Sequence, residues 1–328
     1  MRKKQILSVL LVCAVLTAAT TLLYGKSKAG KTVGTLSTNE TVASSNADET
    51  SSVPGTEETV AKVDTNESAV KVNTNNASSV LTCSILKVGK ADAIILEANE
   101  QTMVIDAGEE DDGIEVVEFL KGKGISQVDV LIVTHYDKDH VGGADILVTE
   151  LPVNRVIIPD YVGTSTEYSD FINALAKNNI TPERLNSDTE FSLGDAQIRV
   201  SPPKSYEIPS GAVEFDNNFS LIAEVIHGEN RLLFTGDIEK DRIYELVEDG
   251  SLSPCDFMKA PHHGVYTVAL DDLLKAVQPK YAVICSSDKN PADQSTLELF
   301  KQYGVDTLET RYGNITLISD GNNLELHQ

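Results

Sequence analysis

The chain has 328 residues, 41% hydrophobic and 23% charged, enough apolar material for one large core or two smaller ones. Fifty Asp and Glu against 27 Lys and Arg give a net charge of −23. That balance opposes stable nucleic-acid binding, which draws most of its affinity from Lys and Arg neutralising phosphates; if the substrate is a polyanion, metal ions must supply the positive charge.

The N-terminus, MRKKQILSVLLVCAVLTAATTLLYGKSKAG, sets Arg2, Lys3 and Lys4 ahead of an apolar run from Ile6 to Tyr24. A basic start before an apolar stretch of roughly 20 residues reads as a signal peptide or an uncleaved membrane anchor over residues 1–30. Either outcome predicts an extracellular location for the rest, secreted or anchored to the cytoplasmic membrane and facing outward. Residues 31–79 are mostly Ser, Thr, Asn, Glu, Ala and Val with no aromatic residue. They bury too little to offset ordering entropy and read as a disordered linker. The globular domain is expected at 80–328.

That domain opens with short strands, LTCSILKV (81–88), AIILEA (93–98) and TMVIDAG (102–108), separated by turn residues as antiparallel neighbours are. The spacing predicts a helix over 113–122 with Ile114, Val117 and Leu120 on one face. VDVLIVTH (128–135) is apolar throughout, as a strand covered on both faces should be. A helix at 141–150, the strand VNRVIIP (153–159) and a helix at 168–178 follow. SLIAEVIH (220–227) and RLLFTGD (231–237) flank the hairpin signal Gly228-Glu229-Asn230. A helix at 239–248, strand CDFMKAP (255–261), helix 268–277, strand YAVICSS (281–287), helix 294–303 and short strands within 314–326 complete the order. This order predicts an α/β fold, a four-layer αβ/βα sandwich. Cys83, Cys255 and Cys285 fall in apolar runs and read as small hydrophobes.

Ligand-type side chains gather where apolar strands end: His135, Asp137, Asp139 and His140 in THYDKDH, Asp237 in TGD, and His262 and His263 in APHHG. Strand ends of layered α/β folds share an edge where ligands bind. In an extended segment His135, Asp137 and Asp139 share a face, and a helix entered at Val141 turns His140 towards them. Imidazole and carboxylate ligate Zn²⁺ and Mn²⁺, and four such groups in six residues exceed what one tetrahedral ion takes from one segment. One or two divalent metal ions are therefore expected, and two suit hydrolysis because bound water is acidified towards a pKa of about 7. The competing reading of THYDKDH is a polar helix cap with Asp139 as N-cap; Asp237 and the His pair at other strand ends weigh against it. Asp106 in VIDAG is expected to order the loops behind the site. His227 and His327 read as non-functional, and GEEDDG (108–113) as a solvated helix start.

The ordered motifs LKVGKADAIIL (86–96), MVIDAG (103–108), LIVTHYDKDHVGG (131–143), DNNFSLIAEV (216–225), LLFTGDIEKD (232–241), MKAPHHG (258–264) and PKYAVIC (279–285) resemble the metallo-β-lactamase fold superfamily. Within it they look like the hydrolase domain of ComEC-type competence proteins. The superfamily pattern is H-x-H-x-D-H, and Asp137 stands at its second histidine, as in ComEC-type members. The resemblance implies that His135 and Asp137 hold a first metal and Asp139 and His140 a second. Asp237 would bridge them and His262, in preference to His263, would complete a site. Asp139 would also orient the nucleophilic water. Asn217 and Asn218 replace a histidine many members carry before TGD, and SSDKNPADQS (286–295) lacks their late histidine.

The expected function is an extracytoplasmic metal-dependent hydrolase of phosphodiesters, DNA among them, acting on a small-molecule or polymeric anionic substrate. Asp137 makes the site harder, favouring Mn²⁺ without excluding Zn²⁺. The alternatives are a hydrolase of another extracellular ester or lactam, and a non-catalytic surface binding module on the same fold.

Overall fold

A computed structural model describes residues 80–207 and 215–328. The signal or anchor read at 1–30 and the linker read at 31–79 lie outside the described residues.

The strands are β1 (Leu81–Ile85), β2 (Ala93–Ala98), β3 (Gln101–Ala107), β4 (Val128–Ile132), β5 (Val153–Pro159), β6 (Glu183–Leu185), β7 (Thr189–Leu193), β8 (Ala196–Ser201), β9 (Ile222–His227), β10 (Asn230–Phe234), β11 (Phe257–Lys259), β12 (Tyr281–Ile284), β13 (Asp306–Glu309), β14 (Ile315–Ser319) and β15 (Leu324–His327). The helices are α1 (Asp112–Gly122), α2 (Lys138–Val141), α3 (Ala144–Glu150), α4 (Thr166–Lys177), α5 (Lys240–Glu248), α6 (Leu270–Val277) and α7 (Gln294–Gln302). One sheet runs β15-β14-β1-β2-β3-β4-β5-β6 and the other β13-β12-β11-β10-β9-β8-β7. β1, β2 and β3 are antiparallel neighbours as predicted. β3 to β6 are parallel, and so are β10 to β13.

The strands' period of two builds the layers. In β3 and β4, Met103, Ile105, Val130 and Ile132 face the core between the sheets, where they join Leu232, Phe234 and Val283 from the other sheet. Their neighbours Val104 and Leu131 turn outward onto Val117, Leu120, Leu147 and Phe171 of the helices. In β10, Leu233 does the same against Ile243, Leu273 and Phe300. Each fully buried side chain of this kind contributes about 1.5–3 kcal/mol, and the result is the expected αβ/βα sandwich.

Several details differ from expectation. Ile114 is exposed, and α1 buries Gly113, Val116, Val117 and Leu120 instead. The helix expected at 141–150 is split into α2 and α3 around Gly142 and Gly143. A Cβ on Gly143 would lie 2.3 Å from the Ala107 carbonyl oxygen, so only glycine lets this turn press against β3. β6, β7, β8 and β13 were not anticipated. Among the described residues, Cys83, Cys255 and Cys285 are free and buried. Among the described residues, no helix is long and apolar enough to cross a membrane.

Candidate metal centre

Both sheets deliver strand ends to one edge. After β4 the chain turns into α2 with Asp137, not Asp139, at the N-terminal cap position, and the Asp137 carboxylate makes no capping hydrogen bond. After β10 the chain reverses at Gly236, where a φ of 55° and an added Cβ that would lie 2.8 Å from the Ser220 Cβ exclude a side chain. The following Asp237 is buried, with its backbone N–H on Ser220 Oγ at 3.1 Å.

Three buried imidazoles have their inner nitrogens occupied. Asp106 Oδ1 accepts from Thr134 N (2.7 Å), and its Oδ2 accepts from the Thr134 hydroxyl (2.7 Å) and from His140 Nδ1 (2.8 Å). With its proton given to Asp106, the Thr134 oxygen accepts from His135 Nδ1 at 3.1 Å. His263 Nδ1 donates to the Cys285 carbonyl at 3.1 Å. Each Nδ1 is therefore spent on an acceptor, which leaves Nε2 as the atom each ring can offer to a metal. His135 Nε2 is buried with no hydrogen-bond partner. His140 Nε2 and His263 Nε2 face each other at 3.3 Å.

The carboxylates close around these Nε2 atoms. Asp237 Oδ2 lies 3.2 Å from His140 Nε2 and 3.0 Å from His263 Nε2. Asp139 Oδ2 is 3.4 Å from His263 Nε2, and Asp137 Oδ2 is 3.7 Å from His135 Nε2. His135, His140 and Asp237 can each offer an atom within 4.8 Å of the others, and so can Asp139, His140 and His263. Ring nitrogens facing each other beside carboxylate oxygens make a donor set that one divalent cation can satisfy. The residues present fit such an ion, with Asp106 and the Cys285 carbonyl as the outer partners that orient the rings.

Beneath this lies an ion pair the sequence reading missed. Lys259 is fully buried, and its ammonium sits 2.5 Å from Asp92 Oδ2, 3.1 Å from Asp237 Oδ1 and 2.9 Å from the Gly236 carbonyl. Asp92 also approaches His263 Nδ1 at 3.6 Å and His140 Nδ1 at 3.8 Å. Removing one partner of such a pair leaves an uncompensated buried charge, at about 3–5 kcal/mol.

Burial raises the carboxyl pKa values here, but the opposing charges win. His140, His263 and Lys259 hold Asp237 well below the ordinary carboxylate range. Lys259 with the two histidines lowers Asp92, and the His263 hydrogen bond with the His140 charge holds Asp139 far down. Burial pulls His140 and His263 down, yet the carboxylates led by Asp237 raise both. Without metal, the centre is therefore neutralised by protons on its histidines.

Of the residues expected at the site, His135, Asp137, Asp139, His140 and Asp237 are brought together. His262 is not, and His263 takes its place. Two successive left-handed residues, His262 (φ 45°) and His263 (φ 52°), swing the second ring inward. His262 stays at the rim with Nδ1 3.0 Å from Glu239 Oε1. Its hydrogen bond, against the effect of burial, lowers the Glu239 carboxyl. Asn217, in the region of the absent histidine, is buried and gives Nδ2 to Glu239 Oε1 at 3.1 Å, while its Oδ1 has no partner.

A layered α/β domain with a buried His-carboxylate centre at its strand ends is the architecture of metal-dependent hydrolases. The profile of the Metallo-beta-lactamase superfamily matches residues 86–287, more than half of the chain, and the protein belongs to that superfamily. The chain is similar to ComE operon protein 3 of Bacillus subtilis (strain 168), 29% identical over 198 residues that cover 60% of this chain and 25% of the relative. It is also similar to Recombination protein 2 of Haemophilus influenzae, 26% identical over 211 residues, 63% of this chain and 24% of the relative. The resemblance to ComEC-type competence proteins stands on these matches, although the chain spans only about a quarter of the relatives' length. Among solved structures, Tm1679, a metal-dependent hydrolase of the beta-lactamase superfamily, matches with a TM-score of 0.49 and 13% identity over 71% of this chain and 98% of that one.

Proposed function

We propose that the domain is a metal-dependent hydrolase of phosphodiesters, with one or two divalent ions, Mn²⁺ or Zn²⁺, held by His135, Asp137, Asp139, His140, Asp237 and His263. The observation that carries this reading is the convergence of His140 Nε2, His263 Nε2 and Asp237 Oδ2 within 3.0–3.3 Å while both Nδ1 atoms are tied to acceptors. Such ions supply an acidified water and positive charge for the oxyanion that develops.

The chain's own residues set the rest. Asp139 remains 14% exposed, at the mouth, where its carboxylate orients the attacking water. Asp106 and Thr134 fix the rings, and Lys259 fixes Asp237 Oδ1 so that Oδ2 faces the histidines. A carboxylate-rich, hard donor set supports phosphate chemistry over a lactam. The relatives' names, from a competence operon and from recombination, support DNA as one substrate. The apolar run at 6–24 supports an outward-facing domain, secreted or held at the membrane.

The full chain, given Mn²⁺ or Zn²⁺, should hydrolyse bis-p-nitrophenyl phosphate. Asp237→Ala should lose bound metal and roughly a hundredfold or more in turnover. Folded protein that turns over no phosphodiester with any divalent metal would contradict the reading, and turnover of nitrocefin alone would move it to lactams.

A further inference from the structure

We infer that Lys90 is the anion-binding residue of this site and selects substrates bearing a phosphate charge over neutral esters; the inference rests on the hydrolase reading above. Two lysines among the described residues pair with the cluster's carboxylates. The ammonium of Lys259 has three N–H donors, and Asp92, Asp237 and the Gly236 carbonyl use all three. Lys90 is different. Among the described residues it makes one long contact, 3.4 Å to Asp139 Oδ2, and its side chain is 30% exposed at the mouth beside Asp137 and Asp139, where His135, His140, His263 and Asp237 are buried. Two of its three donors remain for a ligand. Lys138, beside Asp139 in sequence, is 63% exposed and engaged by Glu109 at 3.0 Å.

The root of Lys90 is fixed while its tip is not. Ala91 is buried, and Asp92 N donates to the Asp139 carbonyl at 3.0 Å. The ammonium thus extends from a loop that is hydrogen-bonded to the segment carrying Asp139. A cation held by Asp139 draws charge from the same Oδ2 that holds Lys90, which weakens their pair and turns the ammonium to the mouth. A net charge of −23 repels anions from the rest of the molecule. A phosphate oxygen arriving at the centre finds a charge-assisted donor in Lys90, and a neutral lactam or carboxylic ester has no charge for it to meet.

The test measures inorganic phosphate binding to the Mn²⁺-loaded full chain by calorimetry in wild type, Lys90→Met and Lys90→Arg, with metal content determined for each. Lys90→Met should keep its metal and bind phosphate roughly tenfold more weakly, the size of one charge-assisted hydrogen bond. Lys90→Arg should restore most of the loss. The ratio of kcat/KM for bis-p-nitrophenyl phosphate to that for p-nitrophenyl acetate should fall about tenfold in Lys90→Met, chiefly through KM. Unchanged phosphate binding in Lys90→Met, or loss of metal from it, would overturn the inference, the latter making Lys90 a support for Asp139. If wild type hydrolyses neither ester while Lys90→Met still loses phosphate, the anion site stands and the hydrolase reading falls.

Discussion

His140 and His227 are both completely buried, and they sit at opposite ends of the β9–β10 hairpin region. His227 closes β9, with Nδ1 2.7 Å from Ser319 Oγ and Nε2 3.4 Å from Asp195 Oδ1. Ser319 also receives Asn230 Nδ2 at 2.8 Å and Gly321 N at 3.2 Å. That network is built mainly of neutral groups and ties β9 and β10 of one sheet to β14 of the other. His140 instead lies within 4 Å of three buried carboxylates, Asp106, Asp237 and Asp92, and of a second imidazole Nε2. Burial of a histidine is common to a structural tie and a metal centre. What separates them is the density of negative charge around the whole ring, with Nδ1 spent on Asp106 and Nε2 facing Asp237 and a second imidazole.

Perturbing the two networks should give opposite patterns. Asp106→Asn removes an outer carboxylate without touching Asp237, and should weaken Mn²⁺ or Zn²⁺ binding roughly 10- to 100-fold by titration calorimetry. Acidity comes next. The carboxylates raise His140 and His263 above their ordinary values, so a metal must displace protons from them, and affinity should climb from pH 6 to pH 8 with measurable proton release. The same shifts stabilise the metal-free fold fully below the unfolded histidine value of about 6.5, and that stability is lost as pH rises through the higher folded values. The Tm of metal-free protein should therefore drop above neutral pH while that of metal-loaded protein holds. A metal affinity flat with pH would mean the histidines are neutral without metal. His227→Ala should have the smallest effect on the centre: about 1–3 kcal/mol lower stability from the Ser319 hydroxyl left without its imidazole partner, with metal content unchanged. If it did lose metal, the contrast between the networks would collapse.

The strongly patterned strands, the THYDKDH segment and Asp237 were legible because apolar runs and strand-end polar residues are local signals. Val117 and Leu120 of α1 are buried as expected, but the start of the helix was not legible, since close packing of Gly113 against Gly143 leaves Ile114 outside. β8 alternates buried and more exposed positions, β7 buries only Leu193, and both lacked the continuous apolar run that marked the central strands. The choice between His262 and His263 depended on two consecutive left-handed residues, a conformation side chains rarely adopt and no pattern announces. Asp92 and Lys259 had a usable signal: a lone charge inside an apolar run, in KADAII and FMKAP, is seldom buried unless paired. Their pairing across 167 positions of sequence is tertiary, and only the fold reveals it.

The inward turn at His263 is the hinge of the account, and elemental analysis of His262→Ala and His263→Ala, each purified without chelator, tests it most directly. His262→Ala should retain the wild-type metal content per chain, and His263→Ala should lose at least one ion. Metal lost from His262→Ala and kept by His263→Ala would contradict the centre described above.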